Sequence, residues 1–216
     1  MTPKTYRGKD IDVTFELKRC IHAAECGRRL QVVFDTAKRP WVQPDNAAAD
    51  EVKAAIDHCP SGALKYERHD GGAPEQTPAE NIVLVMDSGE YQVRGDVQLL
   101  TMGGETVAEE YRMTLCRCGE SNNKPFCDNT HRKARFVAPS AVEDNLSDSA
   151  EFQPNGALKI ITAPNGPLLL QGNFEIRDAT GEHIFQGRKA ALCRCGGSAN
   201  KPFCDGTHKE NGFSAE

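Results

Sequence analysis

The sequence lacks long hydrophobic runs. No stretch approaches the roughly 18 consecutive apolar residues that a membrane-spanning helix needs, and the mean hydropathy of the 216-residue chain is −0.55. The first ten residues include basic side chains but no apolar segment follows them, so a secretory signal is not predicted. We therefore expect a cytoplasmic protein with no membrane partner.

An excess of positive charge is also missing. The formal net charge is −5, and the acidic excess lies beyond residue 70. Proteins that bind nucleic acids need clustered Lys and Arg to neutralise phosphates, so no nucleic-acid partner is predicted. The sequence also shows no nucleophile–base arrangement and no phosphate-binding loop. We therefore expect a protein that is not an enzyme.

Cysteine is the residue type in unusual supply, and its pattern disfavours disulfides. The chain has nine cysteines, an odd number, and no export signal. Disulfide frameworks belong to oxidising compartments, whereas grouped cysteines in a reducing compartment are typical of metal binding. The cysteines fall into three groups: Cys20, Cys26 and Cys59; Cys116, Cys118 and Cys127; and Cys193, Cys195 and Cys204.

The second and third groups belong to a repeated motif. Residues 193–208 have the spacing C-x-C-x8-C-x3-H and end in His208, and residues 116–131 have the same spacing and end in His131. A shift of 77 residues superposes the two motifs. Matching glycines extend the repeat before the motifs, and the pair Phe136 and Phe213 extends it after them. The repeat predicts two copies of one structural unit related by a pseudo-twofold axis.

Hydrophobic patterning predicts an α+β protein. Residues 1–70 read as a small α+β domain, with a strand at 13–17 and a helix at 47–58 that Asp45 or Asn46 would cap. Apolar and alternating runs precede each motif, so β-strands are expected before each motif. We predict three domains, at residues 1–70, 71–140 and 141–216.

The motif chemistry alone leaves two metals open. A C-x-C pair places two thiolates on one loop, and Cys-x3-His places a thiolate and an imidazole one helical turn apart. Ser121 and Ser198 are expected to donate hydrogen bonds to sulfur. Three thiolates and one imidazole suit a closed zinc site or a [2Fe–2S] cluster with two ligands per iron.

A family resemblance favours iron and sulfide. Residues 193–208, which contain Cys-Asp-Gly-Thr-His, resemble the CDGSH iron–sulfur domain of the mitoNEET family. Residues 116–131 match the same pattern, with Asn129 at the family's glycine; asparagine tolerates left-handed backbone. The resemblance implies two [2Fe–2S] clusters, and in each repeat a β-rich cap above a cluster-binding loop and helix. It also implies a monomer that resembles the family's dimer fused into one chain. The implied ligands are Cys116, Cys118, Cys127 and His131, and Cys193, Cys195, Cys204 and His208.

The first cysteine group resembles a different family. Cys20, Cys26 and the Cys59-Pro60 pair resemble a divergent single-cluster [4Fe–4S]-type ferredoxin domain, with Ala23 where such ferredoxins usually have another cysteine. Three thiolates suffice for a [3Fe–4S] cluster, whereas a [4Fe–4S] cluster needs His22, water or another donor. The alternative is a ferredoxin-like remnant whose small buried cysteines hold no metal.

Two functional hypotheses follow. The first is an iron–sulfur protein that acts in electron transfer, cluster transfer or redox sensing and serves a redox or cluster-acceptor protein. The second is a zinc-stabilised structural or interaction module with no redox role.

The histidine ligands predict an acid-labile chromophore. Imidazole binds a metal only when neutral and titrates near pH 6.5, so acidification should loosen both centres and bleach the visible absorbance. Replacing His131 and His208 together by cysteine should make the bleaching less sensitive to acid. Stopped-flow absorbance after pH jumps measures this, and an unchanged acid lability in the double variant would overturn the ligand assignment.

Overall fold

The computed structural model describes residues 2–140 and 153–215. These residues form two compact units with the boundary between Gln76 and Thr77. The elements are strands and short helices, which confirms the predicted α+β class. The sequence over residues 140–156 is polar and predicts a connecting segment, most of which lies outside the described residues.

The first unit contains a three-stranded antiparallel sheet in the order β1-β2-β3. The predicted strand over 13–17 is observed two residues earlier, because Ile11 and Val13 are both buried in the core of this unit. The strands are β1 (Lys4–Tyr6), β2 (Ile11–Phe15) and β3 (Leu64–Arg68).

Short helices cover this sheet. The predicted helix is confirmed, but it begins later than expected and neither Asp45 nor Asn46 caps it. The backbone N–H of Ala48, at the N-cap, donates to Glu51 Oε2 at 3.1 Å instead. The helical segments are the 3-10 turns Leu17–Arg19 and Pro44–Asn46, α1 (Glu25–Arg29) and α2 (Ala49–Asp57).

The second unit contains both sequence repeats in one six-stranded sheet. Each repeat contributes three strands in the same order, and each motif follows the third strand of its repeat, as the alternation before Cys116 predicts. The elements are β4 (Ile82–Val85), β5 (Tyr91–Thr101), β6 (Thr106–Leu115), α3 (Thr130–Lys133), β7 (Ala157–Thr162), β8 (Leu168–Arg177), β9 (His183–Leu192) and the 3-10 turn Thr207–Lys209.

The two repeats exchange strand pairings with pseudo-twofold symmetry. Strand β4 pairs antiparallel with β5 of its own repeat and parallel with β8 of the other repeat. Strand β7 does the same, pairing antiparallel with β8 and parallel with β5. Inward side chains from both repeats form one core, in which Leu99 and Phe174 have no solvent exposure. The predicted pseudo-twofold arrangement is therefore confirmed in a strand-exchanged form.

The two cysteine-rich motifs also meet each other. Cys118 and Cys195 form an antiparallel backbone bridge. Gly119 and Gly196 follow them with positive φ values of 85° and 76°. A Cβ on Gly119 would lie 2.6 Å from the carbonyl oxygen of Cys195, and a Cβ on Gly196 would meet the Cys118 carbonyl in the same way. Only glycine fits this crossing.

A pair of glycine substitutions tests the crossing. Gly104, in the β5–β6 turn, has a φ of 86° like Gly119, but a Cβ there meets nothing within 4 Å. Gly104→Ala should cost about 1–2 kcal/mol of unfolding free energy from backbone strain alone. Gly119→Ala should cost at least about 3 kcal/mol, since overpacking against the Cys195 carbonyl adds to that strain. Equal losses in chemical denaturation would show that the motifs do not cross at Gly119.

Candidate metal centres

Backbone hydrogen bonds close each motif into one site. The N–H of Cys116 donates to the Pro125 carbonyl at 2.9 Å, and the N–H of Cys127 donates to the Thr114 carbonyl at 3.0 Å. These bonds bring the C-x-C loop beside the Cys-x3-His segment. The second motif has both bonds, each at 2.8 Å, through Cys193, Pro202, Cys204 and Ala191.

The C-x-C loops hold their sulfurs as matched pairs. The Sγ atoms of Cys116 and Cys118 are 3.8 Å apart, and those of Cys193 and Cys195 are also 3.8 Å apart. This separation excludes a disulfide, whose S–S bond is about 2.05 Å. It suits two thiolates on a single metal atom. All nine cysteines lie in the described part of the chain, and none of them forms a disulfide.

The prediction that the cysteine and the histidine lie on one helical turn is wrong, because the cysteine lies outside the helix. Cys127 lies before α3, in a turn in which Asn129 has a left-handed φ of 73°. Gly206 has the equivalent conformation, with a φ of 93°, so asparagine replaces the family's glycine without changing the backbone class. The turn still places His131 Nδ1 3.5 Å from Cys127 Sγ.

The second histidine makes a different bond. His208 Nδ1 donates to the backbone carbonyl of Asn165 at 2.7 Å. Within the described residues, no contact between Cys204 and His208 corresponds to the one between Cys127 and His131. The structure therefore brings Cys127 and His131 of the first motif closer together than Cys204 and His208 of the second.

The two serines do not donate to sulfur, which corrects the sequence-based expectation. Ser121 Oγ donates to the Phe126 carbonyl at 2.7 Å, and Ser198 Oγ donates to the Phe203 carbonyl at 2.6 Å. Each hydroxyl is used to fold its own loop, so it cannot also bind a thiolate with its single proton.

Backbone N–H groups, rather than serine hydroxyls, donate hydrogen bonds to the cysteine sulfurs. The N–H of Glu120 lies 3.4 Å from Cys118 Sγ, and the N–H of Asn129 lies 3.3 Å from Cys127 Sγ. In the second motif the N–H of Gly197 lies 3.4 Å from Cys195 Sγ. Such donors stabilise thiolates and help to set the potential of a bound cluster.

Hydrogen bonding and burial shift the pKa values of the first site's ligands. The pKa of the Cys116 thiol is lowered to about 6, chiefly because Cys118 donates to its sulfur. Burial raises the pKa of Cys127 to about 12, so metal binding at this cysteine must release a proton. Burial lowers the pKa of His131, so the ring is neutral at neutral pH and offers a lone pair.

A buried carboxylate that the sequence did not reveal lies beside the cysteine and histidine of the first site. The ligand atoms of Glu90, Cys127 and His131 lie within 4.8 Å of one another, and all three side chains are buried. Glu90 precedes β5 and belongs to no ligand spacing, so only the fold brings it to the motif. In the second repeat the 77-residue shift places Pro167 at this position.

Two fully buried arginines stabilise the motif loops. Arg117 donates to the Met86 and Pro139 carbonyls. Arg194 donates to the carbonyls of Ala163 and Gly166. Burial lowers the pKa of both guanidinium groups, which nevertheless stay charged at neutral pH. The middle residue of each C-x-C therefore anchors the loop while its two neighbours present sulfur.

The three N-terminal cysteines line one pocket in the first unit. Cys20, Cys26 and Cys59 surround it together with His22, whose Nδ1 is 3.9 Å from Cys20 Sγ. The pKa of Cys26 is raised by burial and by the charges of the two neighbouring sulfurs. The fold thus gathers cysteines that are far apart in sequence, which is what a cluster site requires.

Comparison with known proteins agrees with this geometry. Residues 6–69 match the model of the family described as "Divergent 4Fe-4S mono-cluster", and residues 88–132 and 165–209 match "Iron-binding zinc finger CDGSH type". The chain is similar to two uncharacterized YjdI proteins, from Escherichia coli K12 and O157:H7. Each is 42% identical over 66 residues, which are 31% of this chain and 86% of the relative. No solved structure matches the chain significantly.

The fold, the grouped thiols and these matches define an iron–sulfur protein. The chain carries a divergent 4Fe-4S mono-cluster domain at residues 6–69 and two CDGSH-type iron-binding domains at residues 88–132 and 165–209. Across residues 2–140 and 153–215, no helix is long and apolar enough to cross a membrane.

One buried tyrosine links the first repeat to the second motif. The Tyr91 hydroxyl lies 2.9 Å from the Cys193 carbonyl oxygen and 3.0 Å from that of Pro202. Tyr91→Phe should lower the unfolding free energy by about 1–3 kcal/mol, because buried acceptors lose their donor. Tyr111→Phe, at a half-buried tyrosine of β6, should change it by less than about 0.5 kcal/mol. Equal effects of the two variants would argue against this link.

Proposed function

We propose that each CDGSH motif holds one [2Fe–2S] cluster through three thiolates and one imidazole. The support is the 3.8 Å sulfur pair that occurs in both motifs, each closed onto a second cysteine by backbone hydrogen bonds. The proposed ligand pairs are Cys116 with Cys118, Cys127 with His131, Cys193 with Cys195, and Cys204 with His208.

We further propose a third cluster, of the [3Fe–4S] or [4Fe–4S] type, at Cys20, Cys26 and Cys59. The pocket that these cysteines share supports it, as does the family match of residues 6–69. His22, whose Nδ1 lies 3.9 Å from Cys20 Sγ, is the additional donor that we propose for a fourth iron. Its ring is exposed, so this ligand would be the most accessible of the set.

The proposed role is electron transfer to a redox partner protein. Transfer of a cluster to an acceptor protein is the other role that we consider. When bound, iron–sulfur clusters supply one-electron oxidation and reduction at tunable potentials. The chain's own residues bury the sulfurs, donate N–H groups to them and anchor the loops. Burial of all four ligands at the first motif favours retention of its cluster. The more exposed second motif suits contact with the partner, and cluster transfer or redox sensing would use the same ligands.

Zinc binding without a redox role is the competing proposal. The same three thiolates and imidazole also form a closed tetrahedral zinc site. We favour iron because the N-terminal family match adds a second cluster-type domain to the same chain.

Metal and acid-labile sulfide analysis of the anaerobically purified protein tests the proposal. About four irons with equal sulfide mean that the two repeats are loaded, and about seven or eight mean that the N-terminal site is loaded as well. Stoichiometric zinc in a colourless protein would contradict an iron–sulfur function.

A cysteine variant isolates the third cluster. Cys59→Ser should lower the iron content to about four per chain and leave the [2Fe–2S] absorbance in place, since Cys59 lies in the other unit. Thr36→Ala, at an exposed residue of the same unit that does not line the cysteine pocket, is the control and should keep the full iron content. Unchanged iron in Cys59→Ser would refute the third site.

A further inference from the structure

The first motif has a charged partner for its histidine. Glu90 Oε2 lies 3.8 Å from His131 Nε2, while Nδ1 of the same ring faces Cys127 Sγ at 3.5 Å. The other carboxylate oxygen of Glu90 accepts a hydrogen bond from Gln92 Nε2 at 2.9 Å. Glu90 is only 6% exposed and His131 only 5%. A buried carboxylate held in this way favours the tautomer with hydrogen on Nε2, which leaves the Nδ1 lone pair towards the cysteine.

The second motif lacks this arrangement. The 77-residue shift places Pro167 and Leu169 where the first repeat has the glutamate and the glutamine. His208 instead donates through Nδ1 to the neutral backbone carbonyl of Asn165 at 2.7 Å. The two histidines therefore have partners of different charge, although the motifs that carry them match almost residue for residue.

A negative charge beside a metal ligand has two physical consequences. It makes the imidazole a stronger donor and fixes its orientation, which slows loss of the metal. It also stabilises the more positive, oxidised state of a redox centre and so lowers its reduction potential. Low exposure strengthens both effects, because water does not screen a buried charge.

We propose that Glu90 is a positioning residue that makes the first centre the lower-potential and more tightly held of two unequal centres. The inference rests on the proposed binding of a cluster to each motif. The reducing equivalent of a half-reduced chain then resides on the second centre. That centre is also the more accessible, because Cys195, Cys204 and His208 are only partly buried.

The isosteric variant Glu90→Gln removes the charge and keeps the shape. In the full-length holoprotein, one of the two reduction potentials should rise and the other should stay unchanged, as followed by visible absorbance and EPR. Iron release to a chelator should accelerate by about 10–100-fold for half of the [2Fe–2S] iron only. Glu109→Gln, an exposed Glu→Gln change on β6 of the same repeat, is the matched control and should alter neither measurement.

The outcomes separate this inference from the proposed function. A purely structural role for Glu90 would accelerate release from both centres, because the two motifs are joined at the bridge between Cys118 and Cys195. Unchanged potentials in a variant that still holds two clusters would overturn the inference and leave the proposed function intact. A wild-type protein without [2Fe–2S] clusters would overturn the proposed function itself.

Discussion

Neither CDGSH repeat can complete its sheet alone, because the first strand of each repeat pairs with the second strand of the other. The parallel pairings β4–β8 and β5–β7 satisfy backbone groups that would otherwise lie on open strand edges. The same exchange places the two motifs side by side, where only glycine fits after Cys118 and Cys195. The position of each candidate centre therefore depends on the other repeat, and folding and metal binding in this unit are expected to be coupled.

Much of this organisation is predictable from the sequence, for identifiable reasons. The repeat, the ligand spacing and the strand before Cys116 are local signals, and residues that are close in sequence stay close in space. The exchange of strands is not local, and alternating residues look the same whichever strand they pair with. Asn129 is the instructive intermediate case: its tolerance of left-handed backbone predicts the observed φ correctly.

Hydrogen-bond partners are hard to predict from sequence where one polar group has several acceptors within reach. The motif chemistry predicts that Ser121 and Ser198 donate to sulfur, but in each folded loop the hydroxyl donates to a phenylalanine carbonyl. Glu90 could not be found, since it lies in no motif and reaches His131 only through the register of the sheet. Fusion of two repeats in one chain permits such a difference, whereas a symmetric dimer would place the same residue at both sites.

The central claim is that each CDGSH motif holds a [2Fe–2S] cluster with two thiolates on one iron and a thiolate and an imidazole on the other. Mössbauer spectroscopy of the 57Fe-enriched protein, with Cys59→Ser to remove the N-terminal iron, tests it most directly. The account predicts two quadrupole doublets of equal intensity, one from each kind of iron. A single doublet typical of sulfur-only ligation, or an iron-free protein that contains zinc, would contradict it.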